Sequence, residues 1–207
     1  MNLQHIICIT NRKLIPVQGT QPTEPDLSAC LLSQIERLSR TDAECIILRE
    51  KDMDEASYQE LARQALDICN TYHKKLVFHT YIKAASALHH PHIHLPYPVL
   101  EAHMQASDHS VHYSARWKTM GVSIHSLEEA IQAERLGATY LTAGHIFATD
   151  CKKGLPPRGL DWLRNITENV SIPVYALGGI TEDNLPLVMQ YGAAGGCMMS
   201  GAMRYPH

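Results

Sequence analysis

His145 ends an apolar stretch, Tyr140-Leu141-Thr142-Ala143, and stands at the head of a loop rich in acid, base and glycine that runs from Ile146 to Gly154. An imidazole titrates near neutral pH, so a histidine at a strand tip facing cationic side chains can carry a proton for an anionic substrate. The spacing alone leaves a second reading open, that of a lone histidine on a surface loop. In the same loop Cys151 lies beside Lys152, a setting that lowers a thiol pKa.

The elements that must position these groups follow from hydrophobic periodicity. Short apolar runs at 6–10, 45–48, 76–78, 92–95, 121–124, 139–143, 173–177 and 196–199 read as strands. Amphipathic stretches at 26–40, 57–70, 81–88, 99–107, 160–170 and 181–191 read as helices. One further helix is predicted from Ser126, the N-cap of the capping box Ser126-Leu127-Glu128-Glu129, to a stop at Gly137. Eight strands, nearly each followed by a helix and with no linker between halves, predict one domain over 1–207, a closed TIM (β/α)8 barrel. A doubly wound open sheet is the alternative, but the Gly-x-Gly-x-x-Gly fingerprint is missing after the first strand. Few residues follow the last strand, so the eighth helix is expected to be short or missing. Another part of the chain, or a second subunit in a homodimer, is then expected to cover the apolar surface left there.

Barrels of this class take their reactive groups from strand C-termini and the loops beyond them. Arg49-Glu50-Lys51 ends the second strand, and a guanidinium with an ammonium suits an anionic substrate; a solvated charge cluster is the competing reading. Gly178-Gly179 and Ser200-Gly201 follow the last two strands, where backbone N–H groups can approach a phosphate. Lys152, Lys153 and Arg158 lie in a long loop able to close as a lid. The expected site is therefore His145 for catalysis, Arg49, Lys51, Ser123 and Lys152 for substrate, and Gly178, Gly179, Ser200 and Gly201 for phosphate. His92 and His94 alternate onto one strand face and invite a metal, yet strands three and four end without the carboxylate such sites need; no metal is expected. His89 and His90 read as exposed residues at a helix end.

Bulk properties narrow the classes. A net charge of −3 excludes the basic surface of a nucleic-acid binder, and no apolar run is long enough for a membrane span. No signal peptide is evident, so the expected compartment is the cytoplasm. Six cysteines scattered without a Cys-x-x-Cys pair argue against disulfides there.

Together Ser123-Ile124-His125-Ser126-Leu127-Glu128-Glu129-Ala130, the loop from His145 to Gly154, Leu177-Gly178-Gly179-Ile180-Thr181 and Met199-Ser200-Gly201 resemble the thiamine-phosphate synthase and TenI superfamily. The resemblance runs through almost the whole chain, and it implies the barrel fold and small thiamine-precursor phosphate esters as ligands. It also separates two branches. The synthase branch joins a pyrimidine diphosphate to a thiazole phosphate and holds magnesium with two aspartates; those positions are Thr80 and Val99 here, poor oxygen ligands for a hard cation. Its Gln-x-Arg-x-Lys appears as Ile47-Leu48-Arg49-Glu50-Lys51, with the Gln lost, and it usually has Pro where this chain has His145. The thiazole tautomerase branch carries Gly-His-x-Phe-x-Thr-Asp-Cys-Lys-Lys-Gly, matched from Gly144 to Gly154. The resemblance thus implies an isomerase without cofactor, in which His145 moves a proton on a carboxythiazole ethyl phosphate while Lys152 or Arg49 balances charge. The alternatives are a thiamine-phosphate synthase using magnesium and a non-catalytic thiamine-precursor-binding or regulatory protein.

Overall fold

The computed structural model describes residues 2–16, 22–106, 116–149, 152 and 154–206. Asp150, Cys151 and Lys153 of the polar loop, and 107–112 of the histidine-rich segment 89–112, lie outside the described residues. Eight parallel strands follow one another in chain order around a closed barrel: β1 (Ile6–Ile9), β2 (Cys45–Leu48), β3 (Leu76–His79), β4 (His92–Pro96), β5 (Thr119–Ile124), β6 (Tyr140–Gly144), β7 (Val174–Leu177) and β8 (Gly195–Met198). The helices are α1 (Glu24–Ser39), α2 (Glu55–Thr71), α3 (Ile82–Ala87), α4 (Tyr97–Ala106), α5 (Leu127–Arg135), α6 (Gly159–Thr167), α7 (Leu185–Gln190) and α8 (Ser200–Met203), with a 3-10 turn at Arg12–Leu14. This is the expected TIM barrel, and its eighth helix is a stub of four residues. Strands covered on both faces read as continuous apolar runs, which is why β1, β2 and β3 are buried at every position.

The chain forms two compact units, Met1–His90 with Met198–His207, and Pro91–Cys197. In the first unit α1 begins two residues earlier than its apolar stripe predicts. Thr23 accepts from the Asp26 backbone N–H, Asp26 accepts in return from the Thr23 N–H at 3.0 Å, and Pro25 occupies the first turn. Leu27, Leu31, Ile35 and Leu38 form its buried face. Gln34, also buried, donates its amide to the carbonyls of Ala202 at 2.7 Å and Tyr205 at 3.2 Å. The stub α8 is therefore held by a helix of its own chain.

In the second unit Ser126 caps α5 as expected, accepting from the Glu129 N–H at 3.1 Å. The Glu129 carboxylate reaches one residue further back than a capping box requires, accepting from the N–H of His125. The helix expected over 181–191 shrinks to α7. Thr181 and Asn184 bond to each other's backbone in a turn, and Pro186, which lacks an N–H, is tolerated only in a first helical turn. Among the described cysteines, burial pushes the thiols of Cys8 and Cys45 up to about 12, so they act as small hydrophobes. No described helix is long and apolar enough to cross a membrane.

Candidate functional site

In the first unit the residues after β1 and β2 build a buried charge network that sequence reasoning missed. Glu50 is 2% exposed; it accepts from the Thr10 hydroxyl at 2.7 Å, from the Arg12 backbone N–H, and from Arg12 Nη1 at 3.0 Å. Arg12 also donates to Glu24 at 2.7 Å and to both oxygens of Asp52, at 2.8 and 3.1 Å. Burial works against its charge, but the bonds to Asp52, Glu24 and Glu50 win and raise the guanidinium above its ordinary range. The same contacts, with Lys13, hold Asp52 well below the usual carboxylate range. Glu50 is thus a structural anion, held by Thr10 and Arg12. Arg49 is half-buried, its N–H donating to Thr10 Oγ1 at 2.8 Å, while Lys51 is exposed. Tyr81 fastens this loop by donating to the carbonyls of Glu50 and Met53, and stacks on Tyr58 with ring centroids 3.8 Å apart.

A cavity of about 720 Å³ opens beside this network, lined by Arg12 together with Glu24, Asp52, Asp54 and Glu60. Arg12 is spent on Glu24 and Asp52, and these four carboxylates outnumber the one cation in the lining named here, which makes the cavity a poor match for a phosphate. Ser200, exposed, and Gly201 lie at the start of α8.

In the second unit β4, β5 and β6 align a polar chain. His94 Nδ1 lies 3.0 Å from the Tyr140 hydroxyl and its Nε2 lies 2.7 Å from Ser123 Oγ, while Thr142 donates to Ser123 Oγ at 3.0 Å. Both ring nitrogens of His94 are engaged in these bonds, the first of them through the space that a Cβ on Gly121 would fill. Among the described residues no group of three or more His, Cys, Asp or Glu side chains is arranged to hold a metal. His145 is 7% exposed and its Nε2 sits 3.3 Å from the Leu155 carbonyl, so the imidazole fastens the loop that follows it. The Gly178-Gly179 turn packs directly on this segment: a Cβ on Gly178 would lie 2.4 Å from His145 Cβ, and one on Gly179 would lie 2.7 Å from Phe147 Cβ. Both glycines also have positive φ, 98° and 66°. Lys152 is exposed. His90 departs from expectation: it is buried, stacks on Phe78 at 4.2 Å and bonds the Leu76 carbonyl through Nε2, because the turn after α3 folds it inward.

The thiamine monophosphate synthase family model matches residues 14–202. This chain belongs to the thiamine monophosphate synthase family. A thiamine-phosphate synthase of Clostridium acetobutylicum is 34% identical over 176 residues, 84% of this chain and 80% of that one. Another, of Alkaliphilus oremlandii, is 33% identical over 78% of this chain and 75% of its own length. A solved thiamine phosphate pyrophosphorylase of Pyrococcus furiosus superposes with a TM-score of 0.74 at 27% identity, covering 97% of this chain and 87% of that one.

These relatives overturn the thiazole tautomerase expectation, and with it the isomerase class. That expectation rests on the loop 144–154 and on Ile47, Thr80 and Val99 standing where the synthase branch has Gln and two aspartates, whereas similarity to proteins named as synthases extends over most of the chain. The magnesium that the synthase branch implies does not fit the residues present. Thr80, at φ 71°, holds its hydroxyl 2.7 Å from His79 Nδ1, and Val99 is an aliphatic residue in α4, so neither position offers a carboxylate.

Proposed function

We propose that this chain is a thiamine-phosphate synthase, a cytoplasmic transferase that couples a pyrimidine diphosphate to a thiazole phosphate. The observation that carries the proposal is 34% identity to a synthase across 84% of the chain. The family match runs unbroken through 14–202, which supports treating 1–207 as one domain. Within the first unit, Arg49 and Lys51 offset phosphate charge, and Ser200 with Gly201 offers backbone N–H groups. Within the second, Ser123 and Lys152 contact substrate, the Gly178-Gly179 turn offers further N–H groups, and His145 is the catalytic imidazole. With Thr80 and Val99 at the carboxylate positions, charge developing on the departing diphosphate falls to side-chain cations such as Arg49.

The same two residues favour a second reading, a non-catalytic protein that binds thiamine precursors. Incubation of the purified protein with both precursors and magnesium separates them. Thiamine phosphate is the expected product. Saturable binding of the thiazole phosphate with no product would overturn the synthase and leave the binder.

A further inference from the structure

We propose that Thr10 and Arg12 are positioning residues: they hold the loop after β2 in its anion-binding shape before a ligand arrives. The inference deepens the reading above, since it rests on Arg49 and Lys51 meeting phosphoryl oxygens. Their loop begins where β2 ends, at Leu48. A loop with two long cationic side chains and no brace would have to be ordered by its ligand, and that ordering subtracts from affinity. Here the ordering is done beforehand by residues that follow β1.

Thr10 stands one residue beyond β1, is fully buried, and extends the pairing with β2 by a rung. Its N–H donates to the Ile47 carbonyl at 2.9 Å, and its hydroxyl oxygen accepts the Arg49 N–H at 2.8 Å. A hydroxyl has one proton and a carboxylate only accepts, so that proton goes to Glu50 Oε1 at 2.7 Å. One side chain thus fixes the backbone of Arg49 and the carboxylate of the next residue. Valine has nearly the same shape and can do neither. Arg12 holds the two residues that flank Lys51. It reaches Glu50 Oε2 through its backbone N–H at 3.1 Å and Nη1 at 3.0 Å, and both oxygens of Asp52 through Nη1 and Nη2. Its planar fork spans the two carboxylates at once, which an ammonium cannot do. The side chains of Arg12 and Glu50 are 3% and 1% exposed, so water does not screen this pair. Tyr81, donating to the carbonyls of Glu50 and Met53, fastens the same loop a third time. Positions 49, 50, 52 and 53 are therefore all tied, and the matching ligand is a compact anion with several oxygens, a phosphate or diphosphate group.

The test uses the full chain and inorganic pyrophosphate as the probe. Thr10→Val is expected to raise the Kd for pyrophosphate by about threefold to tenfold, while Thr10→Ser, which keeps the hydroxyl, stays within about twofold. Equal binding by all three proteins overturns the proposal, and so does an equal loss in Thr10→Ser. Amide hydrogen exchange on the ligand-free protein supplies a readout that lower stability alone does not give. In Thr10→Val the Arg49 N–H is expected to exchange faster, while the Ile46 N–H, bonded to the Lys75 carbonyl at 2.9 Å, keeps its protection. Equal acceleration at both marks a general loosening and overturns the proposal. Arg12→Lys keeps a cation but loses the fork, and it is expected to weaken pyrophosphate binding as Thr10→Val does; unchanged binding removes Arg12 from the proposal's pair and overturns it as stated. Should Arg12→Lys not fold, the two Thr10 variants decide. An unaltered protein that binds no pyrophosphate overturns the anion role of Arg49 and Lys51, and this proposal with it. Pyrophosphate binding with the expected differences but no thiamine phosphate from the two precursors overturns the synthase reading alone.

Discussion

Arg12 meets three carboxylates, and their weights differ with exposure. The Glu50 side chain is 1% exposed against 64% for Glu24 and 43% for Asp52, so the outer two are screened by water and Glu50 is the partner that matters. Removing one member of a buried pair strands the other charge. Glu50→Ala is accordingly expected to lower unfolding free energy by about 3–5 kcal/mol in urea titrations, and a loss below about 1 kcal/mol would show that the guanidinium is satisfied without it. None of this was legible beforehand. Arg12 and Glu50 are 38 residues apart in the chain, and a sequence displays Glu50 beside Arg49 and Lys51 with nothing to mark Arg12 as its partner. Ser123 was legible as a strand-end residue, whereas Tyr140 read as one more apolar-strand aromatic, because its hydroxyl acquires a role only through the gap at Gly121.

The strands and most helices were visible in the apolar period, since two-sided burial leaves so plain a record in runs such as Cys45–Leu48. Helix ends were less so. The start of α1 depends on Thr23 and Asp26 exchanging bonds, and the short α7 on Thr181 and Asn184 doing the same in a turn, which are local choices that periodicity does not register. The stub α8 was foreseen, but its fastening was not, because Gln34 looks like any polar residue on a helix. Gln34→Ala would leave the carbonyls of Ala202 and Tyr205 without their amide donor, with the first of these residues buried. A cost of about 1–3 kcal/mol is expected, seen as a lower denaturant midpoint; an unchanged midpoint would mean that water replaces the amide.

For the molecule as a whole, stability is expected to decline on mild acidification. Burial holds His90 below its ordinary value of 6.5, opposed only by its bond to the Leu76 carbonyl. The unfolded chain therefore binds the proton more readily: the contribution is intact above 6.5 and is lost as pH falls below that value toward the folded pKa. Unfolding free energies compared at neutral and acidic pH should show this slope, and His90→Gln should flatten it; an equal slope in both would remove His90 as the cause. At this scale the barrel was the most legible property of the sequence and the reaction the least. Branches of one family share the strand-end motifs, so a well-matched loop and a few replaced residues such as Thr80 and Val99 point to one branch while most of the chain resembles the other. Gly121 carries a consequence for how such a protein is mapped. Scanning mutagenesis that clips side chains down to a methyl finds most sites by subtraction, but at this position the same alanine adds a carbon atom, which would lie 2.1 Å from Tyr140 Cζ and 2.4 Å from His94 Nδ1, so a loss there marks the place where three strands negotiate their polar contact.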